Sequence, residues 1–240
     1  MRKLLVVFVC VMLALSLAAC QSTEEETPLS ESYIAEIHAN LRQSSVGITT
    51  FVYDQNFSSH LAFEAFGAGV IYRESESYLY VLTNYHVVDS RTYDYAEYYV
   101  QLHNQETLQV GELIAYDPEL DLAVLRFLKP SDDYQLISIS TRIETSLQEG
   151  EFVLAFGKPQ DNNVYQGEYI GMVSIDEVDF NVLHHSANVF SGLSGSALTD
   201  IHGNLIGINT WMTDSSQGTG LAVSIYEIYT FLENNHLLPE

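Results

Sequence analysis

Cysteine is nearly absent from this chain. Among 240 residues there are only Cys10 and Cys20, both close to the N-terminus. The body of the chain therefore has no thiol pair to bridge, which excludes a disulfide-stapled fold and sets aside thiolate catalysis and cysteine-bound zinc. Basic residues are also scarce: 9 Lys and Arg stand against 32 Asp and Glu, for a formal net charge of −23. A surface of that sign repels phosphate backbones, so nucleic acid is not an expected partner. It also lacks the polybasic patch that helps proteins hold to anionic membranes. The one long apolar run, residues 4–19, is short for a membrane span. No internal repeat is visible, and no glycine-rich phosphate loop, because the glycines sit at strand ends rather than at a strand-to-helix turn.

The N-terminus instead reads as a leader. Arg2 and Lys3 precede the apolar run, which ends in Leu17-Ala18-Ala19-Cys20. Small residues before a cysteine resemble the bacterial lipoprotein signal, which implies a signal peptide at 1–19 and a lipid on Cys20. Residues 20–31 are polar and acidic, with one proline, and read as a flexible tether.

Helical spacing of Ile34, Ile37 and Leu41 predicts a short amphipathic helix over 32–45. From Val46 onward the pattern is that of short strands rich in Val, Ile, Tyr and Phe, separated by turn residues. Six are predicted at 46–53, 67–72, 78–83, 98–102, 107–116 and 123–127. A connector carrying "KPSDDY" follows at 129–136. A second set is predicted at 137–140, 151–156, 165–175, 181–183, 196–198, 204–211 and 218–224, and a helix at 226–232 closes the chain. With 47% hydrophobic residues a sizeable core can be buried. The fold class is all-β, and the polar connector midway favours two barrels or a sandwich.

Three stretches carry chemistry. "YVLTNYHVVDS" places His86 where an apolar strand runs out, a rigid support beside a cleft that suits a general base. "AYDPELDLAVLRF" starts an apolar run at Asp121, an acid that needs a donor if drawn inward. "SGLSGSALTD" sets Ser194 between Gly192 and Gly195, in a bend where the N–H groups of Gly192 and Ser194 can converge on one point. Each residue alone also fits a structural role: a histidine bonded to a carbonyl, a strand cap, an ordinary Gly/Ser turn. Together, in the order His, Asp, Ser, they match the parts of an acyl-transfer site. Histidine-based metal binding is not expected: adjacent His184 and His185 point to opposite faces of an extended strand, and the other histidines lack ligand spacing.

These stretches, with "GAGVIY", "AFGKP", "GMVS", "GLSGSALTDIHGNLIGINT" and "GTGLAVSI", resemble the trypsin-like serine proteases of chymotrypsin fold, on their HtrA (DegP-like) branch. The resemblance runs from about Ile34 to Leu232. It implies two packed six-stranded antiparallel β-barrels flanked by a short N-terminal helix and a C-terminal helix. Residues 32–128 would form the first barrel, 129–136 the linker and 137–240 the second barrel with its closing helix. It further implies His86 as general base, Asp121 as its orienting acid, Ser194 as nucleophile, and Gly192 and Ser194 as oxyanion donors. The implied activity is endopeptidase action on polypeptides, extracytoplasmic and lipid-anchored, without cofactor or metal. A binding-only, chaperone-like version of the fold is the alternative, and the branch admits a homotrimer. Pocket candidates by the family pattern are Asn188, Ser191, Asn209, Thr210, Trp211, Gly218 and Gly220. Asn188 at the pocket base offers no acid to select Lys or Arg, which favours small or medium apolar side chains before the cut. Leu193 stands where the branch has Asn or Asp, and Ser196-Ala197 where it has Gly-Pro. No PDZ domain is expected, since Glu240 falls about eight residues after the final helix.

Overall fold

The computed structural model describes residues 31–239 apart from 55–59, 92, 94, 104–105, 132–133, 141–146, 158–162 and 214–217. The expected leader, Cys20 and nearly all of the expected tether lie outside the described residues. Helix α1 (Glu31–Ser44) buries Ile37 and Leu41, four residues apart on one face.

Strand β1 (Ser45–Asp54) shows why the barrel forms. Val46, Ile48, Thr50 and Val52 are buried while Thr49, Phe51 and Tyr53 are partly exposed, the period-two pattern of a sheet wetted on one face. The first barrel continues with β2 (His60–Glu74), β3 (Tyr78–Thr83), β4 (Tyr95–Leu102), β5 (Gln109–Asp117) and β6 (Leu122–Leu128). It closes in the order β1-β2-β3-β6-β5-β4, every neighbour antiparallel. Val46, Ile48, Ile71, Leu79, Val81, Val100, Ala123, Leu125 and Phe127 fill it. A single turn of helix, α2 (Tyr85–Val88), interrupts the path from β3 to β4.

The second barrel comprises β7 (Phe152–Phe156), β8 (Val164–Ser174), β9 (Asn181–His185), β10 (Ala197–Asp200), β11 (Leu205–Met212) and β12 (Gly220–Ser224). It closes as β10-β11-β12-β9-β8-β7, again antiparallel throughout, around Val153, Ala155, Leu183, Leu198, Ile206 and Ala222. Helix α3 (Ile225–Asn234) follows at once, with Ser224 Oγ accepting from Glu227 N–H at its start and Ile225, Ile228, Phe231 and Leu232 buried. The expected pair of six-stranded barrels between two helices is therefore present.

One predicted strand is absent. Residues 137–140 make only an isolated parallel bridge, Ile139 to Leu205. The segment is a seam between the barrels. Ile137 N–H donates to Ile71 O on β2 (2.8 Å), Leu205 N–H to Ser138 O (2.8 Å) and Ser140 N–H to Leu205 O (3.1 Å). Its backbone groups are divided between two sheets, so no ladder extends from it. A second tie runs from Tyr72, whose hydroxyl donates to Leu237 O beyond α3 (3.2 Å). Both barrels belong to one unit spanning Ile34–Glu240. Among the described residues no helix is long and apolar enough to cross a membrane.

Candidate active site

The histidine is placed by a buried asparagine. Strand β3 ends at Thr83, and the wholly buried Asn84, in extended conformation, donates from Nδ2 to Asp121 O (3.0 Å). In the following turn of helix Val87 and Val88 are buried, which leaves the side chain of His86 half-exposed, at 46%.

The acid comes from the β5–β6 turn. Asp117 Oδ1 accepts from the N–H groups of Glu119 (2.9 Å) and Leu120 (3.1 Å), an Asx-type turn that delivers Asp121 at φ +52°, in the left-handed region. The Asp121 carboxylate is nearly buried and has three donors. His86 N–H reaches Oδ1 (2.9 Å), His86 Nδ1 reaches Oδ2 (2.8 Å), and the Thr210 hydroxyl also donates to Oδ2. An ionised carboxylate only accepts, so Nδ1 carries the proton of the neutral imidazole and Nε2 is left with a free lone pair. That is the tautomer a general base requires.

The serine bend is shaped by two glycines. Gly192 has φ +95° and Gly195 φ +85°. A Cβ on Gly195 would stand 2.1 Å from Ala68 O and 2.4 Å from Thr83 Oγ1, so no other residue fits there. The N–H groups of Leu193, Gly195 and Ser196 are bonded to Phe190 O (3.1 Å), Asn209 O (2.9 Å) and Leu193 O (2.9 Å). Those of Gly192 and Ser194 bond to no described backbone group, as donors reserved for a ligand would. Ser194 O accepts from Ala68 N–H across the barrels (2.8 Å), which docks the bend on the sheet whose β3 edge leads to His86. Among the described residues the Ser194 hydroxyl makes no hydrogen bond to the imidazole. In unliganded sites such bonds are often long and tighten on substrate.

A family model of the trypsin-like peptidase domain matches residues 67–208, more than half of the chain. The chain belongs to the trypsin-like peptidase family. Its relatives include serine protease Do-like HtrA of Bacillus subtilis, 28% identical over 224 residues, with 84% of this chain and 48% of the relative covered. It is also similar to the periplasmic pH-dependent serine endoprotease DegQ of Escherichia coli, 31% identical over 172 residues (67% of this chain, 35% of the relative). Periplasmic serine endoprotease DegP of the same organism is 31% identical over 153 residues (62% of this chain, 30% of the relative). The chain spans about half or less of the length of these relatives.

The remaining residues expected around this site are differently engaged. Asn188 and Gly218 are neighbours: Asn188 Oδ1 would lie 3.4 Å from a Cβ on Gly218. Ser191 is exposed and Trp211 half-buried. Thr210 is engaged with Asp121, and Gly220 lies against the His185 ring and Val189. Asn209 is wholly buried, with its amide bonded to Ser196, Ala197 and His185. Burial pushes His185 down to about 4 and lowers His184, whose Nε2 meets Thr219 Oγ1 (2.9 Å). Leu193 is fully buried, so the apolar side chain that departs from the polar pattern is kept from solvent.

The sequence marks Asp117 only as turn material and gives Asn84 no role. Both have a local signal in retrospect, an amide just before a one-turn helix and an Asp-Pro turn. The contacts of His185 carry none, because they join segments far apart in the chain.

Proposed function

We propose that the chain is a serine endopeptidase acting through His86, Asp121 and Ser194. His86 Nε2 takes the proton of the Ser194 hydroxyl as its oxygen attacks the scissile carbonyl. The N–H groups of Gly192 and Ser194 donate to the oxyanion of the tetrahedral intermediate. The imidazolium then protonates the departing amine, leaving an acyl-enzyme, and a water activated by the same imidazole releases the acid. Asp121 holds the tautomer and stabilises the transient imidazolium. The observation that carries this reading is the 2.8 Å contact of His86 Nδ1 with a carboxylate already held by His86 N–H and Thr210.

Several finer points extend this reading. The substrates are extended segments of unfolded or misfolded proteins outside the cytoplasm, a reading supported by relatives described as periplasmic endoproteases. The side chain before the cut is small or medium and apolar, since Asn188 supplies no charge. Cys20 carries a lipid that tethers the enzyme to a membrane of the cell envelope.

A fluorophosphonate probe tests the mechanism. Wild type should be labelled, and Ser194→Ala and His86→Ala should not. Equal labelling of wild type and Ser194→Ala, or none of wild type, would end the protease reading. Suppressed aggregation by an unlabelled wild type would favour the binding-only alternative. Mass spectrometry of membrane fractions should find diacylglycerol on Cys20 and none after Cys20→Ser.

A further inference from the structure

Beneath the serine bend lies a buried polar chain that the catalytic cycle does not use. Asn209 Nδ2 stands 3.0 Å from Ser196 Oγ, 3.1 Å from Ala197 O and 3.3 Å from Ser196 O, while Oδ1 is 2.9 Å from His185 Nε2. Two of the three oxygens around Nδ2 are carbonyls, which only accept, so the orientation of the amide is fixed. Oδ1 therefore faces the histidine as an acceptor, and His185 Nε2 must carry its hydrogen and donate. The backbone repeats the clasp: Asn209 N–H donates to Ser196 O (2.9 Å) and Asn209 O accepts from Gly195 N–H (2.9 Å). One residue thus grips the three positions that follow Ser194, and the next residue, Thr210, holds Asp121.

His185 itself has nowhere to turn. It is wholly buried, and a Cβ on Gly220 would come within 2.3 Å of its Cε1, so the ring is wedged against the backbone of β12. With Nε2 as the donor of a neutral ring, Nδ1 is a bare acceptor, and it is buried without a partner. An unpaired buried acceptor is uncommon and calls for a reason.

We infer that His185 and Asn209 are positioning residues for the nucleophile: the imidazole, donating from Nε2, orients the Asn209 amide, which clasps Ser196 and Ala197 and so holds Ser194 in its bend. This rests on the serine endopeptidase reading. Ser196, one of the departures from the family pattern, supplies a hydroxyl to this clasp that the usual glycine would not.

The test compares His185→Met, of similar length but with no donor, with His185→Gln, whose amide N–H reaches the position of Nε2. Fluorophosphonate labelling rate, kcat and KM on an unfolded substrate, and the thermal melt are measured for each. His185→Met should lose about tenfold to a hundredfold in labelling rate and kcat, with KM within about twofold. His185→Gln should recover most of that loss. A folded His185→Met as reactive as wild type, or Met and Gln variants equally impaired, would overturn the assignment. A wild type that is itself unreactive would instead strike the endopeptidase reading. Independently of activity, and of whether the variants fold, long-range ¹H–¹⁵N spectra of wild type at neutral pH should show His185 as the Nε2–H tautomer. A proton on Nδ1 would refute the proposal directly.

Discussion

At the scale of single residues, Asp121 is a point where several constraints meet. It takes a left-handed backbone conformation that ordinary side chains avoid, and its carboxylate draws three donors from two other segments. Thr210→Val removes one of those donors while keeping the shape. The expected outcome is a loss of about 1–3 kcal/mol in a denaturant titration, with kcat lowered about tenfold and labelling by the probe retained. Asp121→Asn should cost far more, roughly 10⁴-fold in kcat, because an amide no longer selects the Nδ1–H tautomer of His86. A second residue-scale expectation concerns acid. His185 ordinarily titrates near 6.5 and here near 4. Well above pH 6.5 neither the folded nor the unfolded chain protonates it. As pH falls from 6.5 toward 4 the unfolded chain takes up a proton that the folded chain refuses, so stability declines, by about 3 kcal/mol once pH is below 4. Urea titrations at pH 7 and pH 4.5 should show a smaller drop for His185→Gln than for wild type. An equal drop in both would mean that His185 does not carry this linkage.

At the scale of elements, the bend around Ser194 is tightly specified. Gly195→Ala would need a side chain at φ +85° with its Cβ 2.1 Å from Ala68 O. It should cost about 3 kcal/mol or more and abolish labelling, read from the melt and the probe together. The Gly-Leu-Ser-Gly spacing made this bend legible in the sequence, as strand-end positions did for His86 and Asp121. Elements governed by tertiary contact were less legible. Residues 137–140 alternate apolar and polar and so read as a strand, yet they only bridge the two sheets. Conversely β2 begins at His60 rather than at 67, because its first half is largely exposed and pairs with β1 without the alternation that marks a half-buried strand. His185, Asn209 and Gly220 meet only because β9 and β11 both flank β12, a neighbourhood that spacing along the chain does not encode.

At the scale of the molecule, the formal net charge of −23 bears on how the proposed peptidase would meet a polypeptide. It should favour encounter with cationic unfolded substrates. The ratio kcat/KM for a basic unfolded protein should fall as salt rises from about 20 to 200 mM, and that for an acidic one should rise, because ions screen both fields. Opposite or absent slopes would show that surface charge plays no part in capture. The overall architecture was legible because six short strands, a polar connector and a second set divide the chain into two like halves, whereas the stitching between the halves was not.

That stitching bears on how the proposed activity can be silenced. The carbonyl of Ser194, carried by the second barrel, is anchored to the amide of Ala68 in the first, and the Asp121 carboxylate of the first is held by the Thr210 hydroxyl of the second. On the proposed mechanism, neither half owns a complete set of reacting groups. Slippage at the seam, begun anywhere along Ile137, Tyr72 or the chain beyond α3, would disarm the serine without altering any group that performs the chemistry.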